Sequence, residues 1–226
     1  MRAPVLRARF RAGRRYPHDI TDLIPVTATA VTDPDWLAAQ LTATARRYRL
    51  DRATVVGVLW WYSASSVLLG PVVETFVRGG PVADPALDAT TLFLHPDGRV
   101  LDARSVRATS REDVVARLGT ALTTAVGAVA AASGARERAL WAIATDSLAN
   151  RVLWAGGDAA VADELATAGP LPPPRYVAVA GTRVVRRASC CLIYEAPGER
   201  KCVSCPRQHP DERRARLEAQ LGGITR

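Results

Sequence analysis

Apolar residues recur at helical spacing through most of the first 170 residues, and capping and turn residues mark the ends of the predicted helices. Asp33 followed by Pro34 is typical of a helix start, because aspartate can cap a helix and proline suits its first position. Ser110 with Asp113 resembles a capping box before an alanine-rich helix. Helices are therefore predicted at about 33–49, 51–69, 71–79, 110–132, 135–155 and 158–168.

Strand-like segments appear in two places. Residues 90–95 and 100–103 flank a Pro-Asp-Gly turn, which predicts a β-hairpin, whereas residues 81–87 between the third helix and this hairpin are predicted to be a loop. The proline-rich connector 170–174 cannot be helical, and β-rich residues at 176–180 and 183–187 follow it around a turn at Gly181. A last charged helix is predicted from Pro210 to about Leu221.

The expected fold class is therefore α+β, with a mostly helical body, a small β-hairpin and a C-terminal part rich in β-structure and cysteine. We expect three parts along the chain: a basic N-terminal arm over residues 1–30, a helical body over 31–169 with its hairpin near 90–103, and a C-terminal part over 175–226. A chain of 226 residues is long enough for the last two parts to form one compact unit.

One apolar stretch raises the question of a membrane span. No charged residue occurs between Ala53 and Val73, which is long enough to cross a bilayer. Its aromatic residues lie in the middle, however, whereas membrane aromatics concentrate at the two interfaces, and Gly70 and Pro71 then interrupt it. A buried core helix is predicted and no membrane span, which still allows peripheral association with a membrane.

The chain is strongly basic, with a formal net charge of +8, and Lys201 is its only lysine. So one-sided a use of arginine reflects coding bias in part, but a basic surface still favours anionic partners such as nucleic acid, anionic lipid or an acidic protein. The arginine-rich residues 1–15 contain no apolar core, so they do not form a secretory signal. The expected compartment is the reducing cytoplasm.

All four cysteines lie close together near the C-terminus, at Cys190, Cys191, Cys202 and Cys205. Such a cluster in an otherwise cysteine-free chain indicates a metal site rather than a disulfide scaffold. Side chains of adjacent residues in a strand point to opposite faces, so the backbone must bend at the first pair or each cysteine must serve a different iron. An iron–sulfur cluster is favoured; structural zinc, with His209 replacing one cysteine, a disulfide pair and inert thiols stay open.

The segment from Ser189 to Tyr194, together with Cys202 to Pro206, resembles the C-terminal signature of the FhuF-like ferric-siderophore reductases. In that family four cysteines hold a [2Fe–2S] cluster, and all four positions and both gaps match here. The resemblance implies that Cys190, Cys191, Cys202 and Cys205 are the cluster ligands. It also implies one-electron reduction of Fe(III) in a siderophore of the hydroxamate type, which releases Fe(II) in iron acquisition, because hard oxygen ligands hold Fe(III) better.

The electron must come from elsewhere, because the sequence has no Gly-rich or Walker-type nucleotide motif. An electron-donor protein, either a ferredoxin or a flavin reductase, is expected at a basic face that includes Arg186, Arg187 and Arg200. Nucleic acid is not the expected partner. Two alternatives remain: a zinc-stabilised basic protein that binds nucleic acid through the N-terminal arginines and the last helix, and an electron carrier without a substrate pocket.

Three further groups of residues could carry chemistry, and for each a structural interpretation is favoured. Adjacent aromatic residues of the second helix are expected in the core rather than in a siderophore pocket: Trp60, Trp61 and Tyr62. Polar residues at helical spacing are expected on a solvated face rather than at a substrate site: Asp146, Ser147, Asn150 and Arg151. Isolated histidines are expected on the surface or in turns: His18, His95 and His209.

Overall fold

The computed structural model describes residues 22–222, so most of the predicted N-terminal arm, including His18, lies outside the described residues. Within them the helices are α1 Pro34–Tyr48, α2 Ala53–Leu68, α3 Gly70–Arg78, α4 Val114–Ser133, α5 Glu137–Ala155, α6 Ala159–Ala166 and α7 Pro210–Gly222. The strands are β1 Ile24–Thr27, β2 Val82–Ala83, β3 Thr90–Leu94, β4 Val100–Ser105, β5 Ala108–Thr109, β6 Tyr176–Val179 and β7 Thr182–Val185. The predicted α+β class with a mostly helical body is confirmed.

Local hydrogen bonds explain why the starts of α1 and α4 were predictable. The Asp33 carboxylate accepts hydrogen bonds from the amides of Asp35 and Trp36, at 2.9 and 3.2 Å, and α1 begins at the next residue, Pro34. The Ser110 hydroxyl accepts from the Asp113 amide at 3.0 Å, and α4 follows directly. These contacts depend on residues two or three positions apart, so they can be recognised in the sequence alone.

The sheets differ in part from the prediction. β1 pairs antiparallel with β3, which pairs with β4, so Ile24–Thr27, at the end of the predicted arm over 1–30, form a strand of this sheet. Residues 81–87, predicted to be a loop, contain β2, which pairs with β5. A strand of two residues is too short to have a recognisable period, and only its partner defines it.

Helices α2 and α5 form the centre of the body. Trp61 of α2 is 1% exposed, and its indole Nε1 donates to the carbonyl of Leu140 on α5 at 2.9 Å. The hydroxyls of Ser65 on α2 and Ser147 on α5 are 2.8 Å apart. Helix α2 is therefore joined to its neighbour by both apolar packing and hydrogen bonds, as expected for a core helix.

Two helical segments among the described residues are long and apolar enough to cross a membrane, Ala53–Arg78 and Val114–Ser133. In the most apolar window of the first, 72% is buried inside the protein, and in the second 39%. Core helices of soluble proteins meet the same criteria, so these segments are weak evidence for a membrane span. The fold is compatible with a soluble protein.

The C-terminal part packs directly on the body. Val185 of β7 contacts Ala149 and Leu153 of α5, and Leu221 of α7 packs against the β6–β7 hairpin through Val179 and Val184. The segment that carries the cysteines connects β7 to α7. It is therefore held at both ends and lies beside α5.

Candidate iron–sulfur site

A buried carboxylate on α5 positions the start of the cysteine segment. Asp146 accepts hydrogen bonds from the amides of Ala188 and Ser189, at 2.8 and 3.1 Å, and from the Arg187 Nε at 3.4 Å. The Asp146 and Arg187 side chains are each 3% exposed. Burial raises the pKa of the Asp146 carboxyl, and the two amides and the Arg187 guanidinium counteract that shift. The carboxylate fixes the backbone just before Cys190.

The backbone bends directly after the adjacent cysteines, which is one of the two arrangements predicted for them. Leu192 adopts the left-handed conformation with φ 62°, and its amide lies 3.5 Å from the Cys190 Sγ. A short 3₁₀ helix, Ile193–Glu195, follows. The bend allows side chains of neighbouring residues to reach the same site, which an extended strand would prevent.

A tight turn brings the second pair of cysteines to the first. The Cys205 amide donates to the Cys202 carbonyl at 3.0 Å, and the Gln208 side-chain amide donates to the carbonyls of Cys202 and Val203, at 2.7 and 3.1 Å. Upstream, Gly198 has φ 82°. The gap of two residues between Cys202 and Cys205 therefore lets one tight turn bring both cysteines to the site.

The four sulfur atoms meet in one region beside Arg187. The Cys190 Sγ is 3.5 Å from the Cys205 Sγ, and the Arg187 Nη1 is 3.4 Å from the Cys202 Sγ and 4.0 Å from the Cys191 Sγ. Cys191 and Cys205 are buried, whereas Cys190 and Cys202 are partly exposed, and no disulfide joins any of them. The structure thus brings together all four residues predicted to be ligands.

The thiols influence one another's ionisation. Hydrogen bonds from Cys190 and Cys202, supported by the positive charge of Arg187, lower the pKa of the Cys191 thiol. The same contacts with Cys191, together with burial, raise the pKa of Cys190 and of Cys202. The Cys191 thiol therefore ionises more readily than the thiols of Cys190 and Cys202. The ionised thiolate is the form that binds metal.

The donor set distinguishes between a single ion and a cluster. Within residues 22–222, no three His, Cys, Asp or Glu side chains are arranged to bind one metal ion. His209, the alternative zinc ligand, is 73% exposed and lies 3.5 Å from the Asp211 carboxylate. Cys190 lies beside both Cys205 and Cys191, and Cys191 also lies beside Cys202, so the sulfurs form one group of neighbours that is compatible with two irons.

Arg187 provides a second test of fit. Its Nη2 is buried and has no hydrogen-bond partner among the described residues. Buried donors of this kind are rare, since leaving one unpaired costs about 1–3 kcal/mol. A sulfur-rich group with net negative charge between the cysteines would offer the acceptors that this guanidinium lacks. Cys190, Cys191, Cys202 and Cys205 therefore fit a [2Fe–2S] cluster as its ligands.

A cavity of about 670 Å³ opens next to the cysteines. Residues of α1, α2, the β3–β4 hairpin, α5, β7 and α7 form its wall, and Cys202 is the one cysteine of the four that contributes to it. Trp60 and Trp61 are 5% and 1% exposed and belong to the core, as expected, although Trp60 also borders the cavity. Tyr62 lines the cavity and is 37% exposed, so the expectation of a core position is wrong for this residue.

The prediction that the polar residues of α5 form a solvated face is wrong. Asp146 and Ser147 are 2% and 4% exposed, and Ser147, Asn150 and Arg151 line the cavity. Their polarity serves the cysteine segment and the cavity rather than contact with bulk solvent. In the sequence, the sign of this buried role is a carboxylate, Asp146, in the middle of a mostly apolar helix.

Arg187 was predicted to be part of a docking face, and this is wrong because the residue is 7% exposed. Arg186 and Arg200 are exposed, in agreement with such a role. Sequence reasoning also missed Arg47, Arg99 and Trp154, which line the cavity from three different elements. These residues are far apart in the sequence and no local pattern connects them.

Comparison with known proteins agrees with this geometry. Residues 187–207 match the family model of the FhuF 2Fe-2S C-terminal domain, a match that begins at Arg187 and includes all four cysteines. No curated protein matches the chain. The match confirms the predicted resemblance of this segment to the FhuF-like proteins and, because the matched domain is described as a 2Fe-2S domain, the predicted [2Fe–2S] cofactor.

Proposed function

We propose that this protein is a ferric-siderophore reductase of iron acquisition. One electron from a donor protein converts Fe(III) in the chelate to Fe(II), which hydroxamate oxygens bind weakly, so the iron leaves the siderophore. A [2Fe–2S] cluster held by the four cysteines would supply one-electron transfer, at a potential set by its surroundings. The observation that carries the proposal is the cavity with Cys202 in its wall.

The cavity has the size and lining that a siderophore requires. Its volume of about 670 Å³ lies within the range of ~300–1,000 Å³ usual for small-molecule sites. Trp60, Tyr62 and Trp154 offer aromatic surface for the methylene linkers of a hydroxamate chelate, and Ser147 and Asn150 offer polar groups for its oxygens. An electron carrier without a substrate would have no need of such a cavity.

The charge at one end of the cavity also suits an oxygen-rich iron complex. Arg47 Nη2 and Arg99 Nε each lie 3.0 Å from a carboxylate oxygen of Asp97. Two guanidinium groups share one carboxylate there, so this end of the cavity keeps a positive charge. Burial tends to raise the pKa of Asp97, but hydrogen bonds from Arg99 and Arg47 outweigh it and keep the pKa well below the usual range. The carboxylate therefore stays ionised.

The substitution Ser63→Trp tests the cavity. Ser63 is exposed and lines the cavity, so a larger side chain would occupy substrate space without disturbing the core. We expect kcat/KM for reduction of a ferric hydroxamate chelate to fall by roughly tenfold or more, which corresponds to about 1.4 kcal/mol of lost transition-state stabilisation. Iron and sulfide content should not change. Ala116→Trp, on an exposed position of α4 outside the cavity wall, is the matched control.

Two results would overturn the proposal. If Ser63→Trp reduced the chelate as fast as the unmodified protein, the cavity would not be the substrate site. If the protein, loaded with iron and sulfide, reduced by dithionite and then separated from it, reduced no ferric chelate, the reductase function itself would fail. The second result would leave an electron carrier as the remaining function.

A donor protein would approach from another side of the site. Cys190 is partly exposed but does not line the cavity. Near it, Arg207 stacks on the Tyr194 ring at 5.8 Å and donates to its hydroxyl at 2.9 Å, while the exposed Lys201 donates to the Arg207 carbonyl. We propose that an acidic ferredoxin or a flavin reductase docks on this basic surface, formed by Arg200, Lys201 and Arg207.

Charge reversal separates donor docking from substrate reduction. The double substitution Arg200→Glu with Arg207→Glu should lower the donor-driven rate severalfold and weaken its salt dependence, because complementary charges steer association. Chelate reduction by protein that dithionite has reduced beforehand needs no docking, so it should continue at the original rate. Arg138→Glu, on the exposed first turn of α5, is the control for net charge. Unchanged donor kinetics in the double variant would remove this surface from the proposal.

We also propose a cytoplasmic location. All four cysteines are free, which suits a reducing compartment, and a protein donor of this kind is found where reduced carriers are available. Fractionation of cells that produce the tagged protein would test this, since recovery from the membrane or an extracellular fraction would contradict it.

A further inference from the structure

Arg187 occupies a position that the proposed function does not explain. It lies two residues after β7 and three residues before Cys190, yet its side chain is 3% exposed. One nitrogen, Nη1, faces both Cys202 and Cys191, at 3.4 and 4.0 Å, and the other, Nη2, is buried without a partner among the described residues. A guanidinium is costly to bury, so its retention here requires a reason.

Two contacts fix the orientation of this guanidinium. The Nε donates to the Asp146 Oδ2 at 3.4 Å, and the ring of Tyr62 lies 4.8 Å from the guanidinium carbon. Asp146 is itself held by the amides of Ala188 and Ser189. The planar head is thus supported by a carboxylate and an aromatic ring, and its Nη1 faces the sulfurs of Cys202 and Cys191. A lysine has one compact charge and cannot make these contacts together.

We infer that Arg187 raises the reduction potential of the cluster, and that Asp146 and Tyr62 hold the Arg187 guanidinium in place. Reduction adds one negative charge to a group already surrounded by thiolates. A hydrogen-bonded cation in a buried site stabilises that added charge more than it stabilises the oxidised state. Hydrogen bonds to ligand sulfurs from outside the ligand set are an established means of tuning such potentials.

The net charge around Arg187 does not cancel this effect. Asp146 carries a compensating negative charge, but it binds Nε, whereas Nη1 is the nitrogen that faces the sulfurs. Tyr62 is uncharged, and its pKa is raised further by burial. The nearest donor to the Cys202 and Cys191 sulfurs is therefore the cation itself. The inference depends on the [2Fe–2S] cofactor but not on the identity of the substrate.

The experiment compares Arg187→Gln and Arg187→Lys in the full-length protein loaded with iron and sulfide. An anaerobic redox titration followed by electron paramagnetic resonance measures the midpoint potential of each. We expect a shift to more negative potential in Arg187→Gln and a smaller negative shift in Arg187→Lys, which keeps the charge but loses the paired contacts. Arg186→Gln, the exposed neighbour, should keep the original potential.

An unchanged potential in Arg187→Gln, with normal iron and sulfide content, would overturn the inference. Should Arg187→Gln fail to load, Arg187→Lys decides the question, since an unchanged potential in that variant would overturn it equally. A structural role alone would lower cluster retention in both variants without moving the potential of the loaded fraction. Chelate reduction by the dithionite-reduced protein is measured separately, so a failed reductase function would be recognised independently of the potential.

Discussion

At the scale of single residues, Leu192 and Asp146 determine how the four cysteines come together. The sulfurs of Cys190, Cys191, Cys202 and Cys205 come together because Leu192 accepts a left-handed backbone and Asp146 binds the amides that precede the first cysteine. A left-handed conformation costs a residue with a Cβ roughly 1–2 kcal/mol. The segment tolerates this cost where it brings two adjacent thiols to one site, which links the strain to a function.

The first prediction concerns the ligand set, which stays a prediction until it is measured. Each of the four cysteine-to-serine substitutions should reduce bound iron and acid-labile sulfide severalfold, because a hydroxyl is a poor substitute for a thiolate ligand. Iron analysis and visible absorbance of anaerobically purified protein measure the loss. Ser204→Ala, between Cys202 and Cys205, is the control and should retain the cluster. A substituted cysteine that left both contents unchanged would be excluded from the ligand set.

How much of this could be predicted from the sequence depends on how far apart the interacting residues are. The cap at Asp33 involves neighbours in the chain, and it was recognised. The pair of Asp146 and Arg187 joins residues 41 positions apart, and nothing local connects them. The same holds for the cavity, whose wall combines residues of six elements. Periodicity indicates which face of a helix is polar, but not which partner that face meets.

At the scale of elements, helix α4 offers a matched pair of glycines that separates close packing from backbone flexibility. A Cβ added at Gly119 would lie 2.0 Å from the carbonyl oxygen of Ala168, in the segment after α6. At Gly127 in the same helix, nothing lies within 4 Å of such an atom. Glycine is therefore required at the first position for the approach of two backbones, and it has no such role at the second.

The second prediction follows from this contrast. Gly119→Ala should lower the free energy of unfolding by about 1–3 kcal/mol, because an overpacked contact forces the backbone to move. Gly127→Ala should raise it by about 0.5–1 kcal/mol, since alanine loses less conformational entropy in a helix. Chemical denaturation followed by circular dichroism measures both. Equal effects of the two substitutions would mean that the approach of Ala168 to α4 is not present in solution.

At the scale of the whole molecule, helix α5 connects the stable body to the cysteine segment. Leu140 and Ile143 are fully buried in the core, while Asp146 holds the segment and Asn150 lines the cavity. The body is built from long helices and apolar contacts that do not involve the cysteines. The segment between β7 and α7 has one short 3₁₀ helix and a few turns as its regular structure. Body and segment should therefore differ in their dependence on the cofactor.

The third prediction is that removing iron and sulfide loosens the cysteine segment and leaves the body folded. Where metal ligands join a segment with few backbone hydrogen bonds, metal binding contributes to the local folding free energy. Hydrogen exchange followed by mass spectrometry should show faster exchange of residues 187–207 in the cluster-free protein. Peptides from α2 and from the buried part of α5 should keep their protection, and those from the β3–β4 hairpin serve as an internal reference. Loss of protection along all of α5 would contradict this division, because it would mean that the body itself folds only around the cluster.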